Sequence, residues 1–160
     1  MRILWFLFFI IIIGAGFYFL MNNIIPVYFP GIIPKSEKSY YDANIGGKTF
    51  RLEIARTDEK RNEGLGYRNS MPEDEGMIFL LDGVERGEIW MKGMRFPLDV
   101  IWLYDKKVVG IMVNIKTEPL TEDKDLKLYS PSSPANAFIE LNAGEVAKTS
   151  LRAGDSVLWE

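Results

Sequence analysis

The residues best suited to chemistry lie in one apolar stretch, residues 89–104, with the sequence IWMKGMRFPLDVIWLY. Lys92 and Asp99 stand there among aromatic and aliphatic side chains, and charged groups beside a buried segment need partners or water. If residues 88–92 and 98–104 form a hairpin, Lys92 and Asp99 lie opposite each other or on a diagonal. Such a pair would bind a polar ligand group or shift a proton. The alternative is an ion pair that fixes the turn.

The same stretch contains two tryptophans, Trp90 and Trp102. Either indole could stack on a sugar or another ring, but only if one ring face were exposed. On alternating strands such large aromatic residues more often belong to the core. We therefore expect both in the core and keep Trp90 as a candidate for ligand contact.

Two candidates lie outside this stretch. Arg68 follows a glycine-rich helix end, where a guanidinium group would clamp a carboxylate or phosphate or would bind loop carbonyl groups. Glu140 lies in a strand between two aliphatic residues. Strand alternation places its side chain on the opposite face of the sheet from theirs, and that face by default is exposed to solvent. With Asp99, Glu140 would form a carboxylate pair of the kind that hydrolyses glycosides. The candidate ligand-binding residues are therefore Arg68, Trp90, Lys92, Asp99 and Glu140.

Composition excludes several kinds of site. The chain of 160 residues contains no cysteine and no histidine, which removes Cys–His zinc sites, thiol nucleophiles, disulfides and histidine general bases. Its 19 basic and 22 acidic residues give a formal net charge of −3, which exerts no general attraction on nucleic acid. We expect no catalytic residue, no metal ion, no cofactor and no nucleic-acid partner.

Short strands separated by turn residues dominate the rest of the pattern. Residues 40–45 and 48–55 predict a hairpin around Gly46-Gly47, and Thr57 predicts the N-cap of a helix from Asp58 to about Leu65. Further strands are predicted at residues 77–81, 88–92, 98–104, 108–115, 126–129, 137–141 and 155–159. About nine such strands, with one or two short helices, are typical of a sandwich or small barrel rather than of alternating β-α-β units.

The N-terminal part of the chain has a different composition. Residues 3–20 carry no charge and would span roughly 27 Å as a helix, near the thickness of a bilayer core. The run predicts a transmembrane anchor over residues 1–21, with residues 3–21 in the lipid bilayer; a cleaved signal peptide is the alternative. Arg2 favours a cytoplasmic N-terminus, and hence a globular domain outside the cytoplasm. Residues 22–38 contain three prolines and predict an apolar stalk, or an edge segment packed on the domain.

Four ordered segments carry a resemblance to a known family. They are WMKGMRFPLDVIW at residues 90–102, Gly64-Leu65 with Arg68, GMIF at residues 76–79, and AFIELNAG at residues 137–144. Over residues from about 50 to 159 the chain is identified as a member of the family called domain of unknown function 192. The resemblance implies a small, mostly β domain of the sandwich or jelly-roll kind, often behind a signal or anchor segment, and brings no settled activity.

The sequence thus predicts a mainly β domain at residues 39–160, a compact sandwich or jelly-roll-like barrel, preceded by an N-terminal transmembrane helix. The favoured function is a membrane-anchored, extracytoplasmic module that binds a small polar ligand or a component of the cell envelope. One alternative is a hydrolase or transferase that uses Asp99 and Glu140. Another is a structural or assembly protein of the envelope.

Overall fold

The computed structural model describes residues 39–85, 87–119 and 121–160. The anchor predicted over residues 1–21 and the stalk predicted over residues 22–38 lie outside these ranges. Among the described residues, no helix has the length and apolar character needed to cross a membrane.

Seven strands in the described part of the chain form one sheet. They are β1 (Tyr40–Ile45), β2 (Lys48–Ala55), β3 (Glu75–Glu85), β4 (Leu98–Tyr104), β5 (Lys107–Ile115), β6 (Ala135–Asn142) and β7 (Leu158–Trp159). Their order across the sheet is β5-β4-β6-β3-β2-β1-β7. Strands β2 and β3 are parallel, and the other neighbouring pairs are antiparallel. The mainly β class is confirmed, as one curled sheet and not as the two facing sheets of a sandwich.

The β1–β2 hairpin forms where the sequence predicts it. Ile45 pairs with Lys48, and the turn residues Gly46 and Gly47 have φ angles of 56° and 91°. Positive φ angles cost glycine little. The Gly-Gly pair therefore fixes the register of the first two strands.

The C-terminal segment connects the two edges of the sheet. At one edge, the Val108 N–H donates to the Asp155 carbonyl oxygen at 2.9 Å, and the Val157 N–H donates to the Lys106 carbonyl oxygen at 2.8 Å. At the other edge, Trp159 pairs with β1. The sheet consequently curls into a half-barrel with an inner and an outer face.

Both faces of the sheet are covered. Along β6, Ile139 and Leu141 point into the inner core, whereas Phe138 packs in the outer one. Six of the seven residues of β4 are buried, which is the pattern of a strand covered on both sides. Apolar surface on the outer face therefore has to be covered by the connections between strands.

One of these connections contains a single α-helix, α1 (Asp58–Glu63). As predicted, Thr57 is its N-cap: the hydroxyl oxygen accepts from the Lys60 N–H at 3.3 Å. Gly64, with a φ angle of 51°, ends the helix. The helix thus starts at its predicted residue and ends two residues before the predicted Leu65.

Arg61 attaches α1 to the sheet. Its guanidinium group donates to the Leu80 carbonyl oxygen of β3 at 2.8 Å. It also pairs with Asp58 at 2.6 Å and with Asp82 at 2.5 Å. The helix is therefore held at one margin of the outer face.

The hairpin predicted between residues 88–92 and β4 does not form. Residues 88–92 and 126–129, both predicted as strands, share one isolated bridge between Ile89 and Tyr129. Burial alternates along residues 88–92, with Ile89 and Met91 in the outer core, but β4 already pairs with β5 and β6 and offers this segment no free edge. The segment instead lies across the outer face as a cover.

Candidate functional site

A cleft with a volume of about 360 Å³ opens on the outer face, between α1, β3, β6 and residues 88–94. Its apolar lining comes from Leu65, Phe79, Met94 and Phe138, and its charged lining from Asp58, Arg61, Glu63, Asp82, Glu88, Lys92 and Glu140. The Phe79 and Phe138 rings stack with centroids 4.4 Å apart. The cleft therefore combines an aromatic surface with a predominantly acidic set of side chains.

All four segments that carry the family resemblance contribute to this lining. The contributing residues are Gly64 and Leu65, then Phe79, then Trp90, Lys92 and Met94, and finally Phe138 and Glu140. The motifs are separated along the chain, and the sheet order brings them to one place. Each of the four signature segments thus contributes part of the cleft lining.

Glu140 is buried at this cleft, contrary to the expectation that it faces solvent. Only 6% of the residue is exposed, and its neighbours in register are Met77 on β3 and Val100 on β4. Burial raises the pKa of the Glu140 carboxyl to about 8, and the opposing effect of the Arg68 charge is smaller. A substantial fraction of this carboxyl group is therefore protonated at neutral pH.

The Glu140 carboxyl has no hydrogen-bond partner among the described residues. No completely sealed side-chain oxygen or nitrogen in these residues lacks a partner, so the Glu140 oxygens keep some contact with the cleft. A nearly buried polar group without a partner is rare in native proteins and calls for a specific explanation. Here the open space beside it is the cleft itself.

A second carboxylate, Glu53, lies on the same face of the sheet as Glu140. Met77 on β3 is the register neighbour of both, with Glu53 on β2 and Glu140 on β6. Glu53 accepts from Arg68 at 2.9 Å and pairs with Lys60 at 2.7 Å. Burial alone would raise the pKa of Glu53, but the hydrogen bonds from Lys60 and Arg68 outweigh it and lower that pKa. Arg68 thus clamps a carboxylate of the protein itself. The alternation of β2 is the sequence signal that could have identified Glu53.

Trp90 and Trp102 have different environments. Trp102 is buried in the outer core, as expected, and its indole N–H donates to the Gly87 carbonyl oxygen at 2.7 Å. Trp90 is 45% exposed, so the expectation that it belongs to the core is wrong. It lines the cleft next to Lys92, whose ammonium group bonds Asp123 at 2.5 Å. This hydrogen bond raises the pKa of Lys92.

Asp99 is separated from the cleft. In register it is opposite Leu141, whose side chain is in the inner core, so it faces away from Glu140. One of its carboxylate oxygens accepts from the N–H groups of Gly144 and Val146 at 2.9 and 3.0 Å, and the other accepts from Asn114 at 2.8 Å. The predicted Lys92–Asp99 pair does not form, because residues 88–92 are not a strand beside β4.

The structure thus brings three of the five candidates together: Trp90, Lys92 and Glu140 line the cleft. Arg68 acts on Glu140 through its charge, and Asp99 belongs to the opposite face. Sequence reasoning missed the acidic lining that α1 and Glu88 contribute. Within residues 39–85, 87–119 and 121–160, no group of three acidic side chains is arranged to hold a metal ion.

The model of the family DUF192, described as "Uncharacterized ACR", matches residues 41–159 of this chain. The chain belongs to the DUF192 family. The sequence resemblance is thereby confirmed over nearly the whole described region. No curated protein matches the chain.

Two solved structures are similar to this DUF192 chain. One is a protein of unknown function from Novosphingobium aromaticivorans, 29% identical, covering 81% of this chain and 91% of its own, with a TM-score of 0.67. The other is a protein from Sinorhizobium meliloti, described provisionally as a transcription regulator. It is 28% identical, with a TM-score of 0.63 over 78% of this chain and 98% of its own. Both share the fold.

Proposed function

We propose that this DUF192 domain binds a small polar ligand in the cleft between α1, Trp90 and Glu140. The observation that carries the proposal is the state of Glu140: an ionisable side chain, 6% exposed, without a hydrogen-bond partner in the described chain, at the wall of an open cleft. The carboxyl oxygens are largely desolvated and open only to the cleft. A ligand that donates a hydrogen bond to them would bond a group that has lost most of its hydration.

The half-exposed indole of Trp90 supports the same proposal. A large aromatic ring at the margin of a concave surface offers a flat apolar face with one polar edge. Ligand sites combine such apolar walls with a few placed polar groups. Trp90 supplies an apolar wall, and Glu140 supplies a placed polar group.

Binding is favoured over catalysis by the placement of the two carboxylates that an acid–base mechanism would use. Asp99 and Glu140 face opposite sides of the sheet, and Asp99 is fully engaged with backbone amides. Paired carboxylates act on a glycoside only when both flank the same bond. The hydrolase or transferase alternative therefore has no support from this arrangement.

A panel of amino acids, alkylamines, carboxylic acids and monosaccharides tests the proposal. Binding to the full chain is followed by NMR through the indole N–H signal of Trp90. We expect at least one class to shift this signal saturably. Isothermal titration calorimetry, which does not need the Trp90 signal, should then show that Glu140→Gln and Trp90→Ala each weaken that binding about tenfold or more. If no class shifts the Trp90 signal, or if both variants bind normally, the cleft is not a ligand site.

We also propose that residues 3–21 anchor the domain to a membrane, with the globular part on the extracytoplasmic side. The support is the uncharged apolar run and the position of Arg2. Protease added to spheroplasts, from which the outer envelope layers have been removed, should digest the domain, and the chain should fractionate with membranes. Protection from the protease, or recovery of the uncleaved chain in the soluble fraction, would contradict this location.

A further inference from the structure

We infer that the ligand of the cleft is an organic amine in its protonated, ammonium form, held by the carboxylate of Glu140 against the indole of Trp90. The inference rests on the proposed ligand-binding function and names the chemical class. It starts from the charges that line the cleft: five carboxyl groups and two cationic groups. An acidic surround alone would not define a site. The buried, unpartnered carboxyl group of Glu140 is the second and independent observation.

The cationic groups near the cleft are already engaged. Arg61 bonds Asp58, Asp82 and backbone carbonyl oxygens of the chain. Lys92 bonds Asp123, which does not line the cleft. An anionic ligand would have to break one of these pairs and would then meet an excess of carboxylates. A carboxylate or phosphate ligand is therefore disfavoured.

Arg68, the other cation close to Glu140, is also committed, because it bonds Glu53 at 2.9 Å. Its guanidinium group is not among the groups that line the cleft. It therefore lowers the cost of ionising Glu140 from a distance and does not occupy the carboxyl oxygens. The carboxylate remains available to an incoming donor.

Two acidic side chains of the cleft lining have no basic partner in the described part of the chain. Among the residues described, no basic group lies within ion-pair distance of Glu88 or Glu140. An ammonium group can donate three hydrogen bonds and carries the complementary charge. Charge-assisted bonds of this kind are roughly twice as strong as neutral ones.

The rest of the cleft favours an amine that carries a compact apolar or aromatic group. Leu65, Phe79, Met94 and Phe138 present carbon surface, and a cation close to an indole face gains about 0.5–1 kcal/mol at an exposed site. The ammonium group would therefore lie between the Glu140 carboxylate and the Trp90 ring. Its apolar substituent would cover the stacked phenylalanines.

Three probes of nearly equal shape test the charge preference on the full chain: benzylammonium, benzyl alcohol and benzoate. We expect benzylammonium to shift the Trp90 indole signal and to bind about tenfold or more tightly than either of the other probes. Glu140→Gln should remove that advantage. Glu122→Gln removes the same charge at an exposed position outside the cleft. This control should leave the affinity advantage of benzylammonium intact.

The outcomes separate the amine inference from the ligand-binding function. If benzyl alcohol or benzoate binds at Trp90 as tightly as benzylammonium, the amine class is wrong and the binding cleft stands. The same holds if the broader panel yields only neutral or anionic ligands at this position. If neither the three probes nor the panel shift the Trp90 signal, both proposals fall.

Discussion

Glu140 and Asp99 lie on neighbouring strands, one residue out of register, and face opposite sides of the sheet. Both are nearly or fully buried. Asp99 accepts three backbone N–H bonds, whereas Glu140 accepts none from the described residues. The sheet therefore assigns the two carboxyl groups different roles: Asp99 stabilises the turn after β6, and Glu140 is left for a ligand.

The role of Asp99 predicts a loss of stability without a loss of binding. Asp99→Asn keeps the size of the side chain but replaces one acceptor oxygen by an amide group, so N–H groups of Gly144 and Val146 or of Asn114 lose their partner. We expect a decrease of about 1–3 kcal/mol in the free energy of unfolding, measured by urea denaturation. Asp74→Asn, an exposed control on the same sheet end, should be nearly neutral. Equal stability of both variants would contradict the structural role.

The burial of Glu140 predicts how stability depends on pH. Between the ordinary pKa of 4.5 and the raised value of about 8, the folded carboxyl keeps a proton that the unfolded chain has released. The folded state then binds more protons, so this group makes the free energy of unfolding fall as pH rises through that window. Glu140→Gln should remove the decrease.

The stability difference between Glu140→Gln and the natural chain should therefore grow in favour of the variant from pH 5 to pH 8. Its upper bound is roughly 5 kcal/mol, from a shift of this size. Urea denaturation at several pH values measures it, with Glu122→Gln as the matched control. A constant difference across this range would show that the carboxyl group is not desolvated.

Replacing the two tryptophans with phenylalanine should reduce stability by very different amounts. Trp102→Phe removes the indole bonded to the Gly87 carbonyl oxygen and leaves a void in the outer core, so we expect a loss of about 2–4 kcal/mol in stability. Trp90→Phe, at a half-exposed position, should change stability by less than about 0.5 kcal/mol. Thermal unfolding of the two variants measures both effects. A larger loss for Trp90→Phe would assign Trp90 to the core after all.

Ligand affinity should depend on pH through Glu140. The groups that share the cleft with this carboxyl, or act on its charge, are Asp58, Arg61, Glu63, Asp82, Glu88, Lys92, Arg68 and Glu53. Burial raises the pKa of Glu140 into the neutral range. Below that pKa, an ammonium ligand must displace its proton, so affinity should rise with pH.

For benzylammonium, which stays protonated over this range, the rise should approach about fifty-fold between pH 6 and pH 8. Isothermal titration calorimetry measures the affinity at each pH. Glu140→Gln should bind weakly and with little pH dependence. An affinity that is unchanged or falls with pH in the natural chain would mean that Glu140 does not ionise on binding.

Local sequence patterns were sufficient for much of the fold. The limits of β1, β2 and β4 agree with the predicted residues, because alternation and the Gly-Gly turn act over short distances. The N-cap of α1 is equally local. Residues 88–92 show the limit of local patterns. Their burial alternates as in a strand, but both sides of β4 are paired with β5 and β6, and that pairing depends on contacts distant in sequence.

The site depends on contacts that are distant in sequence. Alternation correctly turns Glu140 away from Leu141, but it does not reveal that residues 88–94 and α1 cover that side of the sheet. The register of β4 against β6, which separates Asp99 from Glu140, joins strands far apart along the chain. The candidates Trp90, Lys92 and Glu140 were recognisable by type, and their grouping needed the tertiary structure.

The ionisation of Glu140 in the presence and absence of an amine tests the account most directly. The side-chain carboxyl carbon is followed by ¹³C NMR as a function of pH, with Glu140→Gln to assign the signal. We predict a midpoint near the pKa of about 8 for the free chain, moving to lower pH when benzylammonium is added. A midpoint near 4.5 that does not respond to the amine would contradict both the buried carboxyl and its role as the ligand anchor.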